Sequence, residues 1–486
     1  MSFELVERFF TVAEARPNDV AVIMRNSPNE TYGALAKRVR SIAGALHWAG
    51  EHPKVLICAP KGPGAYGAML ATLMVGGYYA PLDLEGPTAR RRLIMDRFKP
   101  DAIITGGDLG ARALEEMGGP PDGVMVFPDD PQGVPLGAPK APHDLAYVMF
   151  TSGSTGVPKG VMVGREGLNG FIQWAINRLP LGPGARMSQY PNLGFDMSVL
   201  DIYASLCSGA ALVPLTGMLD RMAPALAIQS LGITVWESVP SVVDLIRKAN
   251  HATKTHLSSL QAMYFCGEAL LPEQVKALFE CRPDLDVINA YGPTEATISC
   301  STQSLTRKTW KKHARTSMAI GEPTPGMSLS ITGGPDADEG ELVISGPQLA
   351  RGYWEDVERT AQAFQADGYH TGDWVKRVNG AIYYQHRIDR QVKVKGHRLE
   401  LGEVDAALRA AGCLAVRSVL SDGQIVSFIE GTLPAPEDDL RQQLRVALPE
   451  YAMPARIEAI EALPRNANDK IDDGQLSAIA EAEAAS

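Results

Sequence analysis

The sequence predicts an α/β protein with a large N-terminal domain and a small C-terminal one. Short apolar segments alternate with amphipathic helices from Glu4 to the strand start at Val287, a pattern typical of layered, largely parallel sheets. From Gly321 onward, short strands separated by Gly-Pro, Asp-Gly and Asn-Gly turns indicate a small antiparallel barrel. After Asp389 the helix-and-strand mixture becomes compact. We therefore predict an N-terminal core over residues 1–388 and a small α+β domain over 389–486.

The first elements follow from hydrophobic periodicity. Residues Glu4–Gly50 predict two amphipathic helices flanking a strand at Val20–Met24. A strand at Lys54–Ala59, a helix at Ala65–Val75 and a strand at Tyr78–Leu82 come next. Residues 106–140 are rich in Gly, Pro and Asp, which predicts an irregular excursion.

The later elements are predicted from the same hydrophobic periodicity. In the first part of the chain they include strands at Ala211–Leu215 and Thr234–Val239 and a helix at Pro272–Phe279. In the predicted barrel the strands are Ser328–Thr332, Glu341–Ser345, Trp374–Val378 and Ala381–Tyr384.

Composition excludes several classes of protein. The chain has 486 residues, 45% of them hydrophobic and 21% charged, with a net charge of −10, which disfavours binding to nucleic acid or anionic lipid. Charged residues at the N-terminus argue against a secretory signal, and glycines break the longest uncharged run, so we predict no membrane association. The six cysteines lack CxxC spacing and the nine histidines form no ligand motif, which predicts a cytoplasmic protein without zinc.

The stretch AYVMFTSGSTGVPKG, residues 146–160, predicts a phosphate-binding loop. An apolar strand runs into hydroxyls and glycines, which offer side-chain donors and converging backbone N–H groups to an anion. The candidate phosphate ligands are Thr151, Ser152, Gly153, Ser154, Thr155, Gly156 and Lys159. A Gly/Ser surface turn is the alternative for such a string taken alone.

Three further strings carry candidate nucleotide ligands. In NAYGPTE, residues 289–295, an aromatic ring beside a Gly-Pro turn can stack on a base, and the following carboxylate can hold Mg²⁺ near phosphates. In YHTGD, an aspartate at 373 follows a tight turn and can bind the two ribose hydroxyls. Arg387 supplies a guanidinium for phosphate or ribose. Each string alone is more often a loop or a surface ion pair.

Taken together and in order, these strings resemble the adenylate-forming superfamily, and within it the adenylation domains of nonribosomal peptide synthesis. The matching segments are TSGSTGVPKG (151–160), FDMS (195–198), NAYGPTE (289–295), GELVISGPQLARGYW (340–354), YHTGD (369–373), RIDRQVKVKGHRLEL (387–401) and NDKID (468–472). The strings FDMSVLDIYASL, TVWESVPS and YFCGEALLPEQV are also similar to the D-alanine–carrier protein ligases.

The resemblance implies a ligase that works in two steps. A carboxylate attacks the α-phosphate of ATP to give an acyl-adenylate and pyrophosphate, and the phosphopantetheine thiol of a carrier protein then takes the acyl group. ATP and Mg²⁺ are the implied cofactors, and secondary metabolite biosynthesis is the implied setting. By resemblance the ATP ligands are the loop residues together with Asn289, Ala290, Tyr291, Gly292, Asp373 and Arg387, with Thr294 at the α-phosphate and Glu295 as the metal ligand.

By resemblance Lys470 is the catalytic cation, presented by a small mobile C-terminal domain that rotates about a hinge at Asp389. A cation that reaches both the carboxylate and the bridging oxygen offsets charge developing between two anions. Composition alone would make this an exposed tail lysine. The family pattern differs at three positions, which are occupied here by His386, Asp469 and Asp473.

Asp196 in FDMS matches the aspartate that pairs with an α-ammonium, which favours an amino acid as the substrate. The alternative is an aspartate that caps a helix beginning at Met197. The implied pocket comprises Asp196, Met197, Leu200, Glu237, Tyr264, Cys266, Gly267, Ala290, Ile298 and Ser299.

Two interpretations of this pocket stay open. Cys266 suits a small side chain such as that of alanine, whereas Glu237 suits a second amine or a basic side chain. Glu237 could instead lie at a strand end and face solvent or a lysine, since an unpartnered buried carboxylate is costly.

Two rival functions are weighed against carrier loading. The first is an acyl-CoA synthetase that acts on a carboxylic acid without an amine, and the second is a catalytically silent partner of a larger synthetase. Because the chain ends at Ser486 without a carrier motif, we expect a separate carrier protein with an acidic docking helix.

Overall fold

The computed structural model describes residues 4–25, 27–131, 135, 137, 140–153, 157–334, 337–394, 396–465 and 471–484. The chain divides into two compact units. The first comprises residues 1–84, 98–149 and 160–388, and the second comprises 85–97, 150–159 and 389–486. The unit border in the late chain lies between Ile388 and Asp389.

The elements up to residue 131 alternate between helices and strands. The helices are α1 (Leu5–Ala15), α2 (Tyr32–Leu46), α3 (Pro63–Met74), α4 (Thr88–Phe98) and α5 (Gly107–Glu116). The strands are β1 (Val20–Val22), β2 (Glu30–Thr31), β3 (Lys54–Cys58), β4 (Tyr78–Pro81), β5 (Ala102–Thr105) and β6 (Met125–Pro128).

The middle of the chain continues this alternation. Its strands are β7 (Leu145–Thr151), β8 (Lys159–Gly164), β9 (Arg186–Gln189), β10 (Ala211–Pro214), β11 (Val235–Ser238), β12 (Ala262–Phe265), β13 (Asp286–Tyr291), β14 (Ser301–Leu305) and β15 (Glu322–Pro323). Its helices are α6 (Arg165–Arg178), α7 (Met197–Ser208), α8 (Met218–Met222), α9 (Pro224–Leu231), α10 (Ser241–Lys248) and α11 (Pro272–Cys281).

The remainder is richer in strands. Up to the unit border they are β16 (Ser328–Ile331), β17 (Glu339–Ser345), β18 (Phe364–Gln365), β19 (Gly368–Val378) and β20 (Ala381–Arg387), with α12 (Val357–Ala363). Beyond it lie β21 (Gln391–Val394), β22 (His397–Glu400), β23 (Val416–Ser421), β24 (Gln424–Glu430), β25 (Arg456–Ile460), α13 (Leu401–Ala410), α14 (Glu437–Ala447) and α15 (Asp473–Ala484).

Two large sheets carry the first unit. One has nine strands in the order β15-β14-β13-β12-β11-β9-β10-β1-β2, parallel in its centre and antiparallel at both edges. The other has six strands in the order β6-β5-β3-β4-β7-β8. The α/β prediction is confirmed. Central strands such as β12 are buried on both faces, which explains their continuous apolar runs.

The region predicted as a small antiparallel barrel forms a five-stranded antiparallel sheet from β16 to β20. In the second unit, β23, β24 and β25 form a three-stranded sheet and β21 pairs with β22 as a hairpin. Its apolar core combines these strands with α13 and α14 through residues such as Leu408 and Leu444.

The predicted irregular excursion over residues 106–140 is partly wrong. It contains α5, which buries Ala113 and Leu114, and β6, which pairs in parallel with β5. The short helix α5 was not predicted, because it has few apolar positions and lies within a glycine-rich stretch. The edge strand β6 is only half-buried and gave a weak signal because it packs on one face of a sheet formed elsewhere.

No helix of the described residues is long and apolar enough to cross a membrane.

Candidate active site

The predicted phosphate loop leaves the end of a buried strand. Thr151 ends β7, and its Oγ1 is buried without a hydrogen-bond partner among the described residues. A buried hydroxyl without a partner is unfavourable unless a ligand supplies one, which fits a phosphate oxygen. Within the second unit, Ser152 Oγ donates to the carbonyl of Arg398 at 2.7 Å.

The loop closes tightly on itself. A Cβ on Gly153 would lie 2.1 Å from the carbonyl oxygen of Val157, so only glycine fits there. Lys159 begins β8 and is buried. Ser154, Thr155 and Gly156 lie outside the described residues.

The predicted ribose ligand is the centre of a three-residue network. Asp373 on β19 lies opposite Arg387 on β20 and accepts from its Nη1 at 2.8 Å. Tyr291 Oη, at the end of β13, donates to the other carboxylate oxygen at 2.5 Å. Burial and the Asp373 charge raise the pKa of Tyr291, so its phenol stays protonated and remains a donor. Two predicted nucleotide ligands, Tyr291 and Arg387, therefore donate hydrogen bonds to the carboxylate of a third, Asp373.

Asn289 and Ala290, on the same strand, are engaged with protein groups. Asn289 Nδ2 donates to the carbonyl of Ala319 at 2.8 Å. Ala290 is buried in the largest apolar cluster of the first unit.

The segment after β13 is a tight and strained turn. A Cβ on Gly292 would lie 2.4 Å from Cα of Ser299, so the backbone approaches closely there. Thr297 and Ile298 have φ values of 55° and 71°. Such left-handed conformations cost a β-branched residue about 1–3 kcal/mol and cluster at functional sites.

Glu295 is fully buried in the 3₁₀ turn Thr294–Ala296 of this segment, while Thr294 is half-buried. Tyr353 Oη donates to Glu295 Oε1 at 2.8 Å. No group of three or more His, Cys, Asp or Glu side chains within the described ranges could hold a metal ion. A site with one carboxylate is compatible with Mg²⁺, because this ion usually retains several water ligands and binds substrate phosphates in addition to one or two carboxylates.

The predicted amino-acid pocket is brought together in the first unit. Six of its residues belong to one buried apolar cluster: Met197, Leu200, Tyr264, Cys266, Ala290 and Ile298. The hydroxyls of Tyr264 and Ser299 are 2.5 Å apart. Cys266 Sγ donates to the carbonyl of Ile298 at 3.8 Å, and Gly267 follows with a φ of 94°.

Asp196 immediately precedes α7 but makes no side-chain cap hydrogen bond. The helix-cap alternative is therefore not what the structure has. Burial, followed by the negative charge of Asp196, raises the pKa of Tyr147, whose hydroxyl is buried without a hydrogen-bond partner in the described parts of the chain. Sequence reasoning missed Tyr147, because an aromatic residue in the apolar strand β7 is indistinguishable from core.

Glu237 on β11 lies beside Tyr264 on β12 and is 0% exposed, so the alternative that it faces solvent is wrong. It interacts with Asp201 of α7, also 0% exposed. Apart from each other, the two carboxyls have no hydrogen-bond partner among the described residues. Burial and the Asp201 charge raise the pKa of Glu237. Asp201 was missed, although a charged residue inside the apolar run SVLDIYASL was the available signal.

Only some of the residues singled out near the C-terminus lie within the described ranges. Lys470 and Asp469 lie outside the described residues. Asp473 accepts from Arg417 Nε at 2.5 Å and from its Nη2 at 2.7 Å, so this departure from the family pattern serves an ion pair. His386, another departure, lies parallel to Trp374 with an interplanar angle of 8° and ring centroids 6.2 Å apart. Asp389 Oδ1 accepts from the backbone N–H of Gln391 at 3.1 Å.

The chain is similar to known proteins in both sequence and structure. The family model described as AMP-binding enzyme matches residues 9–354. A D-alanine–D-alanyl carrier protein ligase of Staphylococcus epidermidis is 31% identical over 94% of this chain and 96% of its own. One of Staphylococcus aureus is 29% identical over 98% and 99%. The Vibrio cholerae adenylation domain AlmE, solved with glycyl-adenosine-5′-phosphate, superposes with a TM-score of 0.85 at 27% identity, covering 99% of this chain and 98% of AlmE.

The matched family model spans most of the chain, including the phosphate loop, the 289–295 turn and the pocket strands. This chain belongs to the AMP-binding enzyme family.

Proposed function

We propose that this enzyme activates an amino acid with ATP as an aminoacyl-adenylate and transfers it to the phosphopantetheine thiol of a separate carrier protein. The single observation that supports this most strongly is the buried network of Asp373, Arg387 and Tyr291, three predicted nucleotide ligands that meet at one carboxylate. The names of the staphylococcal relatives and the glycyl-adenylate in AlmE support the same reaction.

In the first step a carboxylate oxygen of the amino acid attacks the α-phosphorus of ATP. The bond between that phosphorus and the oxygen bridging to the β-phosphate breaks, and pyrophosphate leaves. The Asp373 carboxylate would accept hydrogen bonds from the ribose hydroxyls, while Arg387 holds that carboxylate in position. Tyr291 would stack on the adenine ring, and Thr294 would donate to the α-phosphate.

Glu295 would hold Mg²⁺, which supplies charge neutralisation at the phosphates when bound. Thr151 Oγ1 offers a buried donor to the phosphate chain, and Lys159 with the loop residues 152–156 would complete the cradle. Lys470 would stabilise the negative charge that develops between the attacking carboxylate and the α-phosphate.

Asp196 would pair with the α-ammonium of the substrate, which separates amino acids from simple carboxylic acids. Its carboxylate precedes a helix that it does not cap, beside a pocket lined by Met197, Leu200 and Cys266. In the second step the carrier thiolate attacks the carbonyl carbon, the bond to the phosphate oxygen breaks, and AMP leaves.

The second step would follow rotation of residues 389–486 about Asp389. The border between the two compact units at Ile388 and Asp389 and the polar character of the latter support a hinge there. The cytoplasmic location and the role in secondary metabolism stay predictions.

ATP–pyrophosphate exchange with panels of amino acids, aryl acids and fatty acids tests the first step. We expect exchange with an amino acid only. Loading of a phosphopantetheinylated carrier protein, followed by intact-protein mass spectrometry, tests the second. An acyl-CoA product formed from an acid without an amine would contradict the proposal and favour an acyl-CoA synthetase.

A further inference from the structure

We infer that the substrate is a diamino acid, with its α-ammonium at Asp196 and its second ammonium bound by the carboxylate of Glu237. This rests on the proposed function and specifies the substrate class of the same pocket. The observations that support it are the position and the burial of the Glu237 carboxyl and the absence, among the described residues, of any hydrogen-bond partner for it other than Asp201.

The sheet register places Glu237 in the pocket wall. Glu237 of β11 pairs with Tyr264 of β12, and side chains of paired residues lie on one face of a sheet. Two residues beyond Tyr264, Cys266 returns to that face, and both belong to the apolar cluster that contains Met197 and Leu200. The glutamate therefore shares its face with the residues predicted to surround the substrate side chain.

Two further carboxylates act on Glu237. Its pKa is raised by burial and by the charges of Asp201, Cys266 and Asp196. Lys61 acts on Asp201, whose pKa its charge lowers, and its Nζ donates to the carbonyl of Tyr190 at 2.7 Å. Glu237 has no hydrogen bond to a basic side chain in the described part of the chain.

A second ammonium would complete this arrangement. A buried ionised carboxylate without a cation is unfavourable by several kcal/mol. Without such a cation, burial raises the pKa of both carboxyls, which favours a protonated pair of Asp201 and Glu237. An incoming alkylammonium can displace that proton to solvent and leave Glu237 ionised and paired. A methyl side chain offers Glu237 no such partner.

The alternative occupant is a small neutral side chain, with Glu237 and Asp201 as a purely structural acid pair. The two readings differ in one measurable ratio. It is kcat/KM for a diamino acid divided by kcat/KM for the neutral amino acid of equal chain length. The matched pairs are 2,4-diaminobutyrate with norvaline, and ornithine with norleucine. Each diamino acid is also compared with alanine and glycine, which serve as references with short side chains.

The experiment measures this ratio by ATP–pyrophosphate exchange with the full-length enzyme, both stereoisomers and excess Mg²⁺. We expect the best diamino acid to exceed its neutral match by at least about 30-fold, as for a buried charge pair. The Glu237→Gln variant keeps the side-chain shape and should bring the ratio close to one. Glu322→Gln makes the same chemical change on the exposed strand β15 and should leave the ratio unchanged.

The wild-type ratio decides the question even if Glu237→Gln fails to fold. A wild-type enzyme that prefers alanine, glycine or the neutral match overturns the inference and leaves the proposed function intact. A ratio that survives in a folded Glu237→Gln variant overturns the assignment of Glu237. If no amino acid supports exchange, the proposed function itself fails, which is a separate outcome.

Discussion

Tyr291 and Asp373 lie 82 positions apart in the chain, yet the tyrosine hydroxyl donates to the aspartate at 2.5 Å in the interior of the first unit. Arg387 donates to the other oxygen of the same carboxylate at 2.8 Å. The two donors thus orient the carboxylate, which is 5% exposed. In the proposed role, such preorganisation lowers the cost of binding the two ribose hydroxyls.

The first prediction concerns this network. Asp373→Asn should raise KM for ATP by at least about 30-fold, because it leaves the Arg387 guanidinium without its charge partner. Tyr291→Phe removes one neutral donor and should cost about 1 kcal/mol, or roughly fivefold. Exchange kinetics at saturating amino acid measure both effects. Asp122→Asn on the surface is the control, and an unchanged KM for Asp373→Asn would refute the ribose role.

The second prediction concerns the metal. Glu295→Gln should increase the Mg²⁺ concentration needed for half-maximal exchange by about tenfold or more, because a carboxylate ligand is lost. Tyr353→Phe removes only the hydroxyl that donates to Glu295 and should shift the requirement less. Titration of Mg²⁺ at fixed ATP separates the two variants. Equal Mg²⁺ curves for wild type and Glu295→Gln would exclude this residue as the ligand.

The third prediction concerns Lys470. Lys470→Ala should lower adenylate formation about 100-fold or more, since a preorganised charge at the developing anion is lost. Carrier loading from preformed aminoacyl-adenylate should fall far less. Rapid-quench assays of the two half-reactions show the difference, and normal adenylate formation by the variant would mean that the lysine has another role.

The fourth prediction concerns pH. Burial raises the pKa of Asp201 to about 8, against the opposing effects of its hydrogen bond with Glu237 and the Lys61 charge. The titratable groups that act on or respond to this pair are Lys61, Tyr66, Asp196, Tyr264 and Cys266. A carboxyl with a raised pKa binds more protons in the folded than in the unfolded state, so the free energy of unfolding falls as pH rises.

That fall should extend from about pH 4, where unfolded carboxyls titrate, to about 8. Chemical denaturation at several pH values measures it. Glu237→Gln should reduce the slope, because only the buried Asp201 carboxyl of the pair then titrates. A variant with the wild-type slope would show that Glu237 does not contribute to the pH dependence.

The fifth prediction concerns the second unit. Asp473 accepts two hydrogen bonds from Arg417, and its side chain is 40% exposed. Solvent screens such a pair, so Asp473→Ala should lower the free energy of unfolding by only about 1 kcal/mol. Thermal denaturation of the full chain provides the measurement, with Asp96→Ala in an exposed helical pair as the comparison. A loss of adenylation without a loss of stability would instead indicate a direct effect on Lys470.

Much of the fold was predictable because its helices and strands have local patterns of hydrophobic and turn-forming residues. The segments at β3, β10 and β11 were predicted as strands, and the structure buries them in parallel pairing. The half-buried strand β6 and the short helix α5 were not predicted, because β6 packs on only one face and α5 lies within a stretch rich in glycine. Their positions depend on a sheet edge that residues far away create.

In the candidate site, too, local features were predictable from the sequence and contacts between distant segments were not. The sequence by itself determined the glycine-rich loop after β7, the Gly-Pro turn after β13 and the family, because glycine spacing and strand-to-turn transitions are local properties of the backbone. Only the tertiary structure decided that Glu237 is fully buried against Asp201, that Asp196 does not cap α7, and that Tyr291 reaches Asp373. Such contacts join distant segments, and they form only when parallel strands align and a helix packs across them.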